Sequence, residues 1–377
     1  MRHRISPGVL VALGGALGSV LAAILDSSAA DAAAHQDWPP FVLVAGLILT
    51  GYAAEKDGVF AFLGRLLADA TRTEFAFYSG AVLLTVVVTA PLNLDTSVAF
   101  LTPVFVYASF QRGSDEAPTL YGCLLLANAG SLLLPGSNLT NLIVLGRLHL
   151  TGATFVEMMW PAWLASIIIT ACVVGVVFRR SLSGVRRAES THVHAEIGVG
   201  ALAICAVTVI VLVVRSPAIS VFGIGLFAAT VSSAKHRSRI SSLIETLGPA
   251  TLVGLFGIAV ALGSAGRAWD GPALALGHFD RWATAGFAAA ASVVVNNLPA
   301  ASLLSARVPP HPYSLLVGLD DGPNLAVSGS LAWLLWLRAA RQSGARPSLK
   351  RASAIGVVAA PLAIVAAVGA LTLGGLG

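Results

Sequence analysis

The sequence predicts an all-α polytopic membrane protein made of inverted repeats, with two re-entrant hairpins and two broken transmembrane helices. Three observations carry that expectation. The chain is 56% hydrophobic and only 11% charged, where an ordinary soluble domain has about 25% charged residues. A soluble fold of 377 residues could not hide that much apolar surface. Four of the apolar stretches are interrupted by Pro, Asn and Asp. The same order of parts also occurs twice along the chain.

The elements follow in order. A span needs about 20 apolar residues, and stretches of that kind cover 5–25, 39–54, 158–178, 197–214, 217–234, 246–264 and 352–376. The opening MRHRISPGVLVALGG has the flavour of a signal peptide. No small-residue cleavage site follows before Asp26 and more spans come after it, so it reads as the first membrane helix. The second span is short and is expected to start at Trp38-Pro39-Pro40. Residues 39–178 then read as span, amphipathic connector (56–72), hairpin (75–110), broken helix (118–150) and span. Residues 246–376 repeat the order, with a connector at 266–281, a hairpin at 282–308 and a broken helix at 314–338. The chain thus divides into a first half (1–178), a polar cytoplasmic linker (179–195) and a second half (196–377).

Charge sets the orientation. With the N-terminus in the cytoplasm and the C-terminus outside, 18 of the 23 basic residues fall on cytoplasmic segments. Only Arg147, Arg215, Arg267, Arg281 and Arg307 lie outside. This is the positive-inside bias of a membrane protein, and it accounts for the net charge of +5 without a nucleic-acid partner. It also makes the two sets of elements start from opposite faces, as in transporters with inverted repeats.

The interruptions carry the chemistry. TAPLNLDTSVAFLTP (89–103) places Asn93, Asp95 and Thr96 at a hairpin tip between Pro91 and Pro103. An ionised carboxylate facing lipid costs at least ~2.5–3.5 kcal/mol, so Asp95 should face protein or a polar cavity. In NAGSLLLPGSNLTNLIVLG (128–146), Pro135-Gly136 breaks a helix and Ser137, Asn138, Thr140 and Asn141 follow. SVVVNNLPAASLL (292–304) sets Asn296 and Asn297 at the second tip. LLVGLDDGPNLAVSGSLAWLLWL (315–337) sets Asp320, Asp321, Gly322 and Asn324 at a turn, with Ser328, Gly329 and Ser330 before an apolar helix. Backbone groups freed at such breaks must be satisfied internally, so breaks line cavities. Each interruption alone reads equally as a short loop; four of them, paired in order, do not. At least one of Asp320 and Asp321 is expected to cap the half-helix that follows.

Other classes fit poorly. Cys123, Cys172 and Cys205 lie far apart in apolar runs, so neither a disulfide framework nor a zinc site is encoded, and they read as buried apolar packing. His149, His278 and His311 sit near span ends, and His192 and His194 in the linker. No catalytic metal or serine motif and no phosphate-binding loop is present, so the chain reads as no enzyme, with no metal and no cofactor. Its expected partners are the bilayer and a small solute, with a second copy of the chain as the remaining candidate.

The four interrupted segments resemble the ion transporter superfamily, and within it most closely the arsenite-efflux permease branch. NLDTSVAFLTPV resembles its first hairpin, SLLLPGSNLTNLI its first helix break, VVVNNLPA its second hairpin, and LDDGPNLAVSGSLAWLLWL its second break. The resemblance implies a scaffold and two hairpin-containing units, with solute and coupling ion held between tips and breaks. It implies that Asn93, Asp95, Thr96, Ser137, Asn138, Thr140, Asn141, Asn296, Asn297, Asp320, Asp321, Gly322, Asn324, Ser328, Gly329 and Ser330 bind them. The activity implied is secondary active efflux of a small oxyanion or its neutral acid, arsenite or antimonite in type, coupled to protons. The alternatives are a sodium-coupled importer of a dicarboxylate, citrate or sulfate, and a sodium/proton antiporter.

Overall fold

The computed structural model describes residues 7–146, 148, 150–185 and 198–375. Arg2, Arg4, Arg147, His149 and most of the linker, with Arg186, Arg187, His192 and His194, lie outside the described residues. The fold is all-helical; among the described residues the one β-type pairing is a bridge between Thr73 and Val185.

The first half runs α1 (Pro7–Leu25), α2 (Ser27–Lys56), α3 (Val59–Ala70), α4 (Glu74–Leu92), α5 (Leu94–Arg112), α6 (Ala117–Gly130), α7 (Leu139–Leu145) and α8 (Gly152–Val177). Then come α9 (Val199–Val213), α10 (Ala218–Lys235) and α11 (Ile240–Leu247). The rest is α12 (Pro249–Ala268), α13 (Gly271–His278), α14 (Arg281–Val295), α15 (Asn297–Leu304), α16 (Pro312–Asp321), α17 (Ala332–Gln342) and α18 (Leu349–Leu373). Among the described residues, seven helical segments are long and apolar enough to cross a membrane.

Two expectations about spans need correction. The second span starts at Ser27, not at Trp38. The Asp26 carboxylate accepts the Ala29 amide at 2.9 Å and caps it, and Pro39 and Pro40 lie inside the helix. The run 27–37 is too polar to register on hydropathy, yet its alanines favour helix. At about 1.5 Å per residue, 30 residues make a rod of roughly 45 Å, longer than a hydrocarbon core. The stretch 197–214 shrinks to the 15 residues of α9, short of a full span. A short helix, α11, precedes α12.

The repeated order is present: α2, α3, α4–α5, α6/α7, α8 is matched by α12, α13, α14–α15, α16/α17, α18. The packing is reciprocal as well. The return arm α5 lies against α17, and the return arm α15 against α7. The closing helices α8 and α18 pack on each other, while α10 lies along α2 and α1 along α12. Two cores join the halves. Phe155 and Met159 of α8 meet Leu315 and Leu319 of α16. Tyr121 and Leu124 of α6 meet Trp333 and Trp336 of α17. Both indoles are satisfied, by the carbonyls of Pro323 and Leu120 at 2.8 and 2.9 Å.

Where apolar helices meet in lipid, close packing rather than water exclusion holds them together. At the α2–α10 crossing, a Cβ on Gly225 would overlap the Gly46 carbonyl, whereas one on Gly223 would meet nothing within 4 Å. Gly225→Leu is therefore expected to cost about 3 kcal/mol or more. Gly223→Leu should change little. Thermal unfolding of the two purified proteins in detergent checks the difference, and equal melting would refute this crossing.

Candidate functional site

Two turns define the site. α4 and α5 are joined by the single residue Asn93, with φ +115° and ψ 164°. α14 and α15 are joined by Asn296, with φ +75° and ψ 150°. These values fall in a region that only glycine adopts freely, at a cost on the order of 1–3 kcal/mol per residue. Asparagine offsets part of it by capping: Asn93 Oδ1 accepts the Thr96 amide at 2.8 Å, and Asn296 Oδ1 the Leu298 amide at 3.4 Å. The same strained geometry thus stands at corresponding places in the two halves.

Each tip is tied to the break of its own half. Ser137 donates to the Ala90 carbonyl at 2.9 Å. In the second half the Asn297 amide donates to the Gly329 carbonyl at 2.8 Å, and the Asn296 side-chain amide to the Ser328 carbonyl at 3.0 Å. Ser328 in turn donates to Val293 at 2.7 Å.

Between the tips and breaks lies a cavity of about 40 Å³. Asp95, Asn138, Asn296, Asn297 and Ser330 line it, one or more from each interruption, with Leu94, Leu139, Leu255, Leu298 and Leu331 as apolar wall. Four helices start at its edge: α5 capped by Asn93, α7 by Asn138, α15 by Asn296 and α17 at Leu331. Their amino ends contribute partial positive charge. Among the described residues lining the cavity, Asp95 is the one ionisable side chain. Asp95 Oδ1 and Ser330 Oγ are buried there without a protein partner. Buried polar atoms are rarely left so in a native protein, and here a bound solute would meet both.

Asp320 and Asp321 lie behind this cavity, wholly buried at the end of α16. Neither side chain caps a helix, contrary to the sequence expectation. Asp320 instead gathers donors from the other half: Asn138 Nδ2 at 2.8 Å and Thr140 Oγ1 at 2.7 Å on one oxygen, Ser131 Oγ at 3.1 Å on the other. Asp321 accepts from Ser166 Oγ at 2.7 Å. Asn324 spans the halves too, accepting from Asn128 at 2.8 Å and donating to the Leu125 carbonyl at 3.0 Å. Such partners beat capping because α16 and α6 are packed side by side and a buried carboxylate needs donors.

The remaining expected residues surround the cavity without lining it. Thr96 and Asn141 are buried, each with one oxygen unpartnered. Asn141 Nδ2 holds the Ser131 carbonyl at 2.8 Å. Gly322 and Gly329 sit where a Cβ would strike Ala289 and Pro323. Cys123 is buried against Thr102 at 3.6 Å, while Cys172 and Cys205 are exposed, against the expectation that all three pack inside. Three buried polar neighbours of the site went unnoticed: Asn128, Ser131 and Ser166. The signal for Ser166 was its place four residues before Thr170 on one face of an apolar span; both are buried.

Comparison with known proteins gives the same class. The profile of a family described as "Citrate transporter" (CitMHS) matches residues 5–336. A rice (Oryza sativa subsp. japonica) protein named silicon efflux transporter LSI3 is 27% identical over 172 residues, 45% of this chain and 36% of that protein. The inner membrane protein YbiR of Escherichia coli K12 is 28% identical over 125 residues, 33% of this chain and 34% of its own length. The matched region therefore spans about a third of each of these relatives. The crystal structure of the YdaH transporter of Alcanivorax borkumensis, described as having an unusual topology, superposes with a TM-score of 0.50 at 13% identity. The match covers 97% of this chain and 98% of that one; at that identity the likeness concerns the fold.

Proposed function

Because the chain belongs to the citrate transporter family, CitMHS, we propose that it is a secondary active transporter, and that its solute is a small oxyacid rather than citrate. The observation that carries this is the cavity: about 40 Å³, room for roughly three waters, with one carboxylate and no arginine or lysine on its wall. A tricarboxylate would need several times that volume and a cation to meet it. A neutral hydroxylated acid of the arsenite or antimonite type fits. Its hydroxyls would donate to Asp95 and to asparagine carbonyls, and its oxygens would accept from asparagine amides, Ser330 and the helix amino ends. The rice relative, named for silicon efflux, supports a small hydroxylated solute and export.

In this reading Asp95 carries the coupling proton. Solute and proton bind between the tips, and one hairpin unit moves against the scaffold to expose the cavity to the other face. The strained asparagines keep the tips compact enough to fit inside the bundle. The two halves, 1–178 and 196–377, act as inverted units, with the N-terminus cytoplasmic and the C-terminus outside. In a protein lacking Cys172 and Cys205, Ser183→Cys should then react with an impermeant maleimide only from the cytoplasmic side. Reaction from outside would overturn this orientation.

Sodium coupling is the second reading. Asn141 Oδ1 is buried without a partner beside the first break, an oxygen that a sodium ion would use. Proteoliposomes holding the purified chain distinguish the two. A pH gradient should drive arsenite or antimonite movement, a sodium gradient alone should not, and citrate should neither move nor compete. Citrate transport at a rate comparable to arsenite would end the small-oxyacid proposal.

A further inference from the structure

A second concavity lies on the outside of the bundle. Between α4 and α8 runs an open groove of about 700 Å³. Phe75, Tyr78 and Val82 form one wall, at the helical spacing that puts them on one face, and Cys172, Gly175 and Val176 form the other. Both helices are among the segments long and apolar enough to span a membrane. The Tyr78 hydroxyl is spent on the Ala171 carbonyl at 2.8 Å, and Ser79 is the other polar side chain of that wall.

One end of the groove is different. There the chain turns back after α8, and Glu74 N donates to the Gly184 carbonyl at 3.0 Å, laying 181–185 across the start of α4. Arg179 and Ser183 line the groove at this end, and both are exposed. Arg180, next in the chain, is also exposed, while two other arginines nearby are occupied. Arg351 lies over the Phe178 ring at 4.5 Å, and Arg112 is buried against the Ala68 and Thr71 carbonyls. Arg179 makes no ion pair or side-chain hydrogen bond among the described residues. From Ala171 to Arg179 the wall is about 12 Å long at 1.5 Å per residue. The Ser183 hydroxyl is spent on the Arg180 carbonyl at 2.9 Å, and an apolar trough of that length ending in an unpaired guanidinium has the polarity of one lipid molecule: hydrocarbon below, phosphate above.

We propose that this groove is a binding site for a single anionic phospholipid, with its phosphate on Arg179 and an acyl chain along Gly175 and Cys172. The proposal depends on the chain spanning a membrane and not on the identity of the transported solute. Gly175 leaves room for the chain, since a Cβ there would meet only Tyr78, at 3.7 Å. The occupant would touch α4, the arm that ends at Asn93, so its departure frees one side of the first hairpin.

Cys172 is a built-in reporter, being exposed and inside the groove. In detergent-purified Cys205→Ala protein, its reaction with N-ethylmaleimide should slow about fivefold on adding phosphatidylglycerol. That is the scale of one basic residue meeting an anionic headgroup. Phosphatidylcholine and inorganic phosphate should leave the rate nearly unchanged. Arg179→Gln should abolish the phosphatidylglycerol effect. Gly175→Leu, which fills the trough, should do so too with an unaltered size-exclusion profile. Cys172→Ala protein, in which Cys205 is the exposed thiol, should show no lipid dependence. Equal protection by phosphatidylcholine would make the groove an unselective lipid face. Protection by phosphate alone would make it a free-anion site, and an equal effect on Cys205 would make it a micelle effect. Each of these outcomes overturns the proposal.

Discussion

Asp95→Asn should leave the protein folded and abolish proton-driven net transport, lowering it by about two orders of magnitude, the scale of losing a single positioned proton acceptor. Asp95 lines the cavity as its one ionisable group among the described residues, and its Oδ1 has no protein partner. The amide nearly matches the carboxylate in volume and mimics the protonated acid, so packing against Leu94 and Leu139 survives. What is lost is the ability to take up a proton on one face and release it on the other. Exchange of solute for solute across a membrane without a gradient needs no such cycle and should continue. Counterflow measured beside gradient-driven transport separates the two. Wild-type net transport with an unchanged pH profile would reduce Asp95 to a turn residue.

The second large effect is expected at Asp320, and its two substitutions should differ. Asp320→Ala strands two buried donors, Asn138 Nδ2 and Thr140 Oγ1, each costing ~1–3 kcal/mol without an acceptor. Part of that is offset by removing a buried charge, which leaves a net loss of about 3 kcal/mol. Asp320→Asn fits the same network. Its carbonyl can accept from Asn138 and Thr140, and its amide can donate to Ser131 once that hydroxyl turns to the Asn128 carbonyl, 2.7 Å away. The alanine variant should therefore melt well below the wild type and transport nothing, while the asparagine variant melts near it. Thermal unfolding in detergent decides, and equal destabilisation by both would show that charge, not hydrogen bonding, holds the halves together.

The sequence made the four interruptions legible, because Pro91, Asn93, Pro135, Asn296 and Asp320 stand out against apolar runs that otherwise follow one rule. Their pairing across the chain was not legible. Asp320 and Thr140 are separated by 180 residues, and nothing local to either names the other. The same distance hid Ser166, a lone hydroxyl whose partner is 155 residues away. The start of α2 was missed for a different reason. Hydropathy reports lipid exposure, whereas 27–37 is an alanine-rich helix whose Ala29, Ala30 and Ala33 are buried against protein. The Asp26-Ser27 cap signal was present but carried no weight in a search for apolar runs. The capping role assigned to Asp320 or Asp321 failed because a cap is a local solution, while a buried carboxylate takes whatever donors the tertiary fold brings to it.

The central claim is that solute sits between the two tips and the two breaks. Antimony scatters anomalously, so crystals of a Cys123→Ala, Cys172→Ala, Cys205→Ala protein soaked in antimonite report its position without any thiol to divert it. The account predicts one anomalous peak within hydrogen-bonding reach of Asp95, Asn138, Asn297 and Ser330, and its loss in Asp95→Leu. A peak elsewhere in the bundle, or none in a protein that still transports antimonite, would contradict it.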